Sequence, residues 1–188
     1  GKCEQAKDNV TAATALSGGE ILLSGAALIY AACGDAGRAQ SMIDAARESA
    51  PKSFFLTAVN IPMVRAAIEK NRGNTTEALQ LLESIRNYDL GEVTGLTNNY
   101  GRALCYLEQR RGNEAAAEFR KIIDRRGVDP FSPIHALSYL GLARAAVLNG
   151  DSAGARKAYQ DFFALWKDAD ADLPALMQAR KEYDQLKS

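Results

Sequence analysis

An all-α solenoid of four stacked helix hairpins, with a capping helix at each end, is the fold this sequence predicts. Three observations carry it. Apolar residues recur at spacings of three and four along almost the whole chain, which is the period of a helix face and not of a strand. Alanines recur in register: twelve residues after Ala27, Ala66, Ala103 and Ala143 come Ala39, Ala78, Ala115 and Ala155. Between each pair lies a glycine, at Gly34, Gly73, Gly112 and Gly150. The period is 39, then 37, then 40 residues, within the range of repeat arrays built from helix pairs.

Each unit reads as helix, short glycine turn, helix. "EQAKDNVTAATAL" predicts an N-terminal capping helix over about 3–15. The first helices of the units then fall at about 20–33, 58–72, 95–110 and 134–149, and the second at about 36–49, 75–87, 113–125 and 152–167. A last capping helix occupies about 173–187, so the units span about 20–51, 58–90, 95–130 and 134–168 of a single domain, 1–188. Asp35, Thr75 and Asp151 stand where a side-chain oxygen caps the second helices. Ser132-Pro133 supplies a cap and a tolerated first-turn proline, whereas Pro62 predicts a helix start or a kink near Asn60. The alanines let paired backbones approach closely. The large residue four positions after the second alanine (Ile43, Leu82, Phe119 or Tyr159) then packs into the next unit, because one hairpin cannot bury its apolar face alone. The third glycine, two residues late, is the main irregularity.

Leu23, Ala27, Tyr30, Gly34, Ala39, Ile43, Ala46 and Pro51 together resemble the tetratricopeptide repeat, and units three and four repeat the pattern through Ala103, Tyr106, Ala115, Phe119 and Tyr139, Leu142, Ala143, Gly150, Ala155, Tyr159. Unit two departs, with Glu69 where an aromatic is usual and Pro62 in its first helix. The resemblance implies a right-handed superhelix. "VRAAIEKNRGNTTEALQLLE", "EAAAEFRKIIDRRG" and "AYQDFFALWKDADADLP" are further similar to the C-terminal repeat region of bacterial membrane-anchored serine/threonine protein kinases, and to regions behind winged-helix regulators. That similarity implies a sensor or docking module, extracytoplasmic if it follows a membrane span and otherwise cytoplasmic. No phosphate loop with a catalytic Lys, no HRD and no DFG is present, so the kinase chemistry itself is not expected here.

Composition narrows the function classes. Twenty-three basic residues balance 23 acidic ones, which argues against nucleic acid held by charge. Apolar runs such as "ILLSGAALIYAAC" are too short to span a bilayer. Gly1 reads as a cloning remnant and the chain as a piece of a longer protein. Cys3, Cys33 and Cys105 have no metal-ligand spacing, so neither metal nor cofactor is expected. Cys3 and Cys33 are equally distant from a turn near Gly18-Gly19; two free buried thiols are the expectation, a disulfide the alternative. His135, the one histidine, lacks a nucleophile at a useful spacing and reads as a surface or capping residue, so no catalysis is expected. "SGG" and "GLTNNYG" follow no strand and make no phosphate loop. Trp166 reads as packing under the last helix. "RRGNEAAAEFRKIIDRRG" reads as a solvated face, with Glu118 on its convex, water-facing side.

In stacked hairpins the first helices line the concave side. Read there at spacings of three, four and three, the sequence gives Ile21, Ser24, Leu28, Ala31; Asn60, Met63, Ala67, Lys70; Thr97, Tyr100, Leu104, Leu107; and Leu137, Leu140, Arg144, Val147. This mixture of aliphatics, an aromatic, a methionine and isolated cations suits a groove for a protein or peptide partner. Its expected lining is Asn60, Met63, Lys70, Tyr100, Leu104, Leu140 and Arg144, with Tyr100 and Arg144 as anchors free of folding duties. The Lys/Asn clamp that chaperone-binding repeats use for acidic C-termini is not matched. A small-ligand-sensing domain is the other reading, recognisable by a pocket sealed with a terminal helix.

Overall fold

The computed structural model describes residues 2–91 and 94–186. Gly1 and Lys187, the last residue expected in the terminal helix, lie outside them. Every regular element among the described residues is helical: α1 Cys3–Leu16, α2 Glu20–Ala32, α3 Ala36–Ser49, a π segment Leu56–Asn60 running into α4 Ile61–Asn71, α5 Thr75–Ser84, a 3₁₀ turn Arg86–Tyr88, α6 Thr97–Glu108, α7 Gly112–Ile123, α8 Pro133–Leu148, α9 Ser152–Leu165 and α10 Pro174–Gln185. The chain divides into two compact units, residues 2–89 and the residues from Leu90 onward.

In residues 2–89, α2 packs on α3, α4 on α5, and α2 also on α4. The repeat alanines sit at these contacts: Ala27, Ala39, Ala46, Ala66 and Ala78 are all buried. Without side chains beyond Cβ they hold the helices close, and the volume between is filled by Ile43, Leu56, Ile61 and Val64 in one cluster. The second unit is built the same way. Ala103, Ala115 and Phe119 form one cluster. Ala143, Tyr159 and Phe162 form another with Leu176 and Ala179 of α10, and Trp166 packs against it, 4.9 Å from the Phe162 ring.

The turns explain the glycines, and correct one of them. Gly34, Gly73 and Gly150 have positive φ, which a residue without Cβ adopts at no steric cost. Each closes its helix with the same two hydrogen bonds. Gly34 and Asp35 N–H donate to Ala31 and Tyr30 carbonyls, Gly73 and Asn74 to Lys70 and Glu69, and Gly150 and Asp151 to Val147 and Ala146. In the third hairpin Arg110 and Arg111 donate to Leu107 and Tyr106, so the left-handed position belongs to Arg110, φ 58°. Gly112 has a different task. A Cβ there would overlap the Asn149 side chain and stand 2.9 Å from the Ala145 carbonyl, so it permits the approach of α7 to α8.

One helix start also differs from expectation. Asp35 and Asp151 cap α3 and α9 through Arg38 and Gly154 N–H, and Ser132 caps α8 through Ile134 N–H. Before α5, however, the cap position is Asn74 and not Thr75, and the Asn74 amide donates to Glu69. Pro62 does mark a break near Asn60, as its sequence predicts: α4 begins at Ile61, with the proline in its first turn. The π segment precedes it, with Ile61 N–H reaching back to Leu56 O. A proline removes one N–H and crowds the carbonyl four residues back; the wider π turn absorbs that conflict.

Candidate binding cleft

In the second unit α6 and α8 lie side by side, α9 packs on α8, and α10 packs on α9. These helices border a cleft of about 490 Å³ lined by Leu107, Arg144, Val147, Leu148, Tyr159, Glu182, Gln185 and Leu186. Half of these side chains are aliphatic. Among the described residues, the cleft's charged side chains meet in a network centred on Glu182. Arg144 grips the Glu182 carboxylate with two hydrogen bonds, Nε at 2.9 Å and Nη2 at 3.0 Å. The Tyr159 hydroxyl donates to it at 2.8 Å, and the Gln178 amide at 3.0 Å. Burial pushes the Glu182 carboxyl up, but the Arg144 and Gln178 hydrogen bonds outweigh it and hold the group below the usual carboxylate range. Burial and the donation to Glu182 raise the Tyr159 hydroxyl, so it stays protonated at any ordinary pH.

Tyr100 lies partly buried on α6 with its ring edge-on to Phe119, centroids 6.0 Å apart. Burial raises its hydroxyl, and the Arg144 charge on the adjacent helix acts in the opposite direction. Leu104 is half-buried against the Ala103–Phe119 cluster. Leu140 is 2% exposed and belongs to the interior of this unit. It is therefore a packing residue and not a lining one. Arg144 differs from expectation in another way: it anchors α10, so it is not free of folding duties. Gln178, Glu182 and Gln185 escaped the sequence reading, and Tyr159 was read only as a packing residue, because they lie on α9 and α10, outside the first helices. Their one signal was Glu182 beside Tyr183, at the edge of the apolar stripe Leu176, Ala179, Tyr183.

The remaining predicted lining residues belong to the first unit. Asn60 and Met63 are buried there, 6% and 8% exposed, and the Asn60 amide donates to Ser24 Oγ at 3.2 Å. Asn60 ties the π segment to α2, and neither residue offers an open face. Lys70 is half-buried near the end of α4. The open apolar surface of this unit lies elsewhere. A cleft of about 660 Å³ beside α1 and α2 is lined by Val10, Leu22, Ala26 and Ile29 among others. Phe54 and Phe55, both exposed, stand edge-on to each other and to Tyr88.

Three further expectations are corrected. His135 is buried, with its ring 5.7 Å from Tyr139 and edge-on to it, so it is neither a surface nor a capping residue. Glu118 is buried at the α6–α7 contact and not solvated: it accepts from the Asn99 amide at 2.8 Å and from Lys121 at 2.7 Å, and Arg102 lies 3.2 Å away. Burial pushes the carboxyl up, but Lys121, Arg102 and Asn99 together hold it down at about 2. Cys3 and Cys33 are bridged by a disulfide, because the turn at Ser17–Gly19 brings α1 back along α2 with the two Cα atoms 5.6 Å apart. Cys105 is in no disulfide and is buried.

No helix among the described residues is long and apolar enough to cross a membrane, and no three of their His, Cys, Asp or Glu side chains gather as a metal site. No protein-family model, curated protein or solved structure matches the chain.

Proposed function

We propose that this chain is a non-catalytic binding module that holds a segment of a protein partner, with the aliphatic cleft of the second unit as its receptor. The cleft carries the reading. Leu107, Val147, Leu148 and Leu186 offer dry contact area, and the Arg144–Glu182–Tyr159 network holds its walls in one shape. Rigid, largely apolar concavities with few polar groups are what buried side chains of a partner require. In this reading the hairpins continue as a right-handed superhelical solenoid of tetratricopeptide-like repeats. The module then serves as the sensor or docking region of a larger bacterial signalling protein, kinase-associated or attached to a winged-helix regulator.

A small ligand is the second reading, favoured by one observation: the terminal helix α10 itself supplies Glu182, Gln185 and Leu186 to the cleft wall. A cleft of this volume falls within the range of small-molecule pockets, roughly 300–1,000 Å³.

Selection from a random peptide library on the purified chain tests the first reading, with fluorescence anisotropy of the selected peptides as the quantitative step. Val147 is 45% exposed, so Val147→Arg fills the cleft at little cost in folding. The expected result is at least a tenfold loss of peptide affinity, about 1.4 kcal/mol, with an unchanged thermal midpoint. Glu77→Ala, a surface change in the other unit, leaves affinity intact. Peptides that bind Val147→Arg as well as the parent exclude this cleft as their receptor.

A further inference from the structure

The first unit carries a second chemistry, independent of the cleft just described. α1 is a 14-residue helix with no buried residue. It packs along α2 with half-buried side chains only, Ala6, Val10, Ala13 and Thr14 among them, and is joined to it by a 2.8 Å hydrogen bond between Thr11 Oγ1 and the Tyr30 hydroxyl and by the Cys3–Cys33 disulfide. Helices of this length are marginal without tertiary support, and a contact in which no side chain of the helix is fully buried gives it less than the other helix pairs have. The covalent bond is therefore a main tie. Cys3 and Cys33 are both partly exposed, whereas Cys105 is fully buried. A reductant in solution meets the first pair and not the third thiol.

The two sulfurs are electrostatically unequal. Cys3 is the first residue of α1, whose N-terminal N–H groups receive no side-chain cap; negative charge is favoured there. Cys33 is the C-cap of α2, among carbonyl oxygens that disfavour an anion. Thiol–disulfide exchange expels the sulfur that better carries negative charge.

We propose that Cys3–Cys33 is a thiol–disulfide exchange site for dithiol reductants, and that its reduction releases α1. One thiolate of the dithiol attacks Cys33 Sγ, the Sγ–Sγ bond breaks, and the electron pair leaves on Cys3 as a thiolate. The second thiol of the reductant, losing its proton, attacks its own mixed-disulfide sulfur and expels Cys33, which takes up a proton. The protein gains two electrons and the reductant becomes a cyclic disulfide. With the bond gone, α1 separates, and the buried cluster of Leu23, Ala26, Ala27 and Tyr30 loses the cover of Val10.

The full chain, purified oxidised, is treated with dithiothreitol without denaturant and read by alkylation mass spectrometry and amide hydrogen exchange. Two alkylated cysteines are expected, Cys3 and Cys33, with Cys105 protected. Exchange through α1 accelerates at least tenfold while α2 to α5 keep their protection, and an apolar dye gains fluorescence. Cys3→Ser reproduces the released state without reductant, and glutathione disulfide restores the parent's protection. Any of three results overturns the proposal: three alkylatable thiols before reduction, Cys105 labelled together with the pair, or exchange through α1 that is the same in the oxidised, reduced and Cys3→Ser proteins.

Discussion

At Arg110 a long charged side chain occupies the one backbone conformation that the other three turns give to glycine. A left-handed residue with a Cβ costs roughly 1–2 kcal/mol, part of which a glycine returns as lost freedom on folding. Arg110→Gly is accordingly expected to raise stability by about 0.5–1 kcal/mol, measured as a higher urea midpoint with unchanged slope. Arg110 is exposed and the turn hydrogen bonds run through backbone atoms, so no contact is lost in exchange. Glu118 makes a pH prediction. Its folded-state pKa lies below the value it takes in the unfolded chain, so its contribution is fully present above about pH 4.5 and is lost as pH falls toward 2. A carboxyl held that far below its ordinary range contributes at most about 3 kcal/mol. Chemical denaturation between pH 5 and about 2.5 is expected to show this loss in the parent. Glu118→Gln is less stable at neutral pH, because Arg102 stays buried without its carboxylate, and its stability falls less over the same interval.

The helices themselves were readable in the sequence because period and alanine spacing are local signals, and the buried alanines coincide with the aligned ones at all eight positions. What sequence alone did not reveal depends on partners far along the chain. Glu118 fits the polar face of α7 by period; its partners Asn99 and Arg102 belong to α6. Arg144 reads as an isolated cation until α10 brings Glu182 across 38 residues. The bridge between Cys3 and Cys33 follows from the angle at which α1 turns back, which spacing does not encode. Close packing between elements yields the third prediction. Ala115 has no exposed surface, and a Cβ on Gly141 would overlap the Phe119 ring. Ala115→Leu and Gly141→Ala are each expected to cost about 1–3 kcal/mol in thermal or urea unfolding. Phe119→Leu shortens the obstructing side chain and should recover part of the Gly141→Ala loss. Strict additivity of that pair would mean the ring is not the obstacle.

For the molecule as a whole, 23 positive and 23 negative side chains leave no net charge near pH 7. Colloidal repulsion then vanishes close to the isoelectric point, about 6.8. Solubility in a polyethylene glycol titration is expected to pass through a minimum near neutrality and to rise toward about pH 5 and pH 9. A monotonic curve would show that surface patches, not net charge, govern association. The same balance predicts no salt-sensitive retention on a polyanionic resin.

The π segment before α4 bears on how this chain was inherited. Leu56–Asn60 holds about one residue more per turn than an α-helix would, the geometry that a helix takes when it absorbs a single extra residue. Pro62 lies just downstream, and without the extra residue its ring would press on the carbonyl of Ala58. Neither change is easily undone alone. The insertion and the proline form a linked pair, so descendants of this chain should keep both or discard both, and an alignment gap in this repeat belongs inside its first helix.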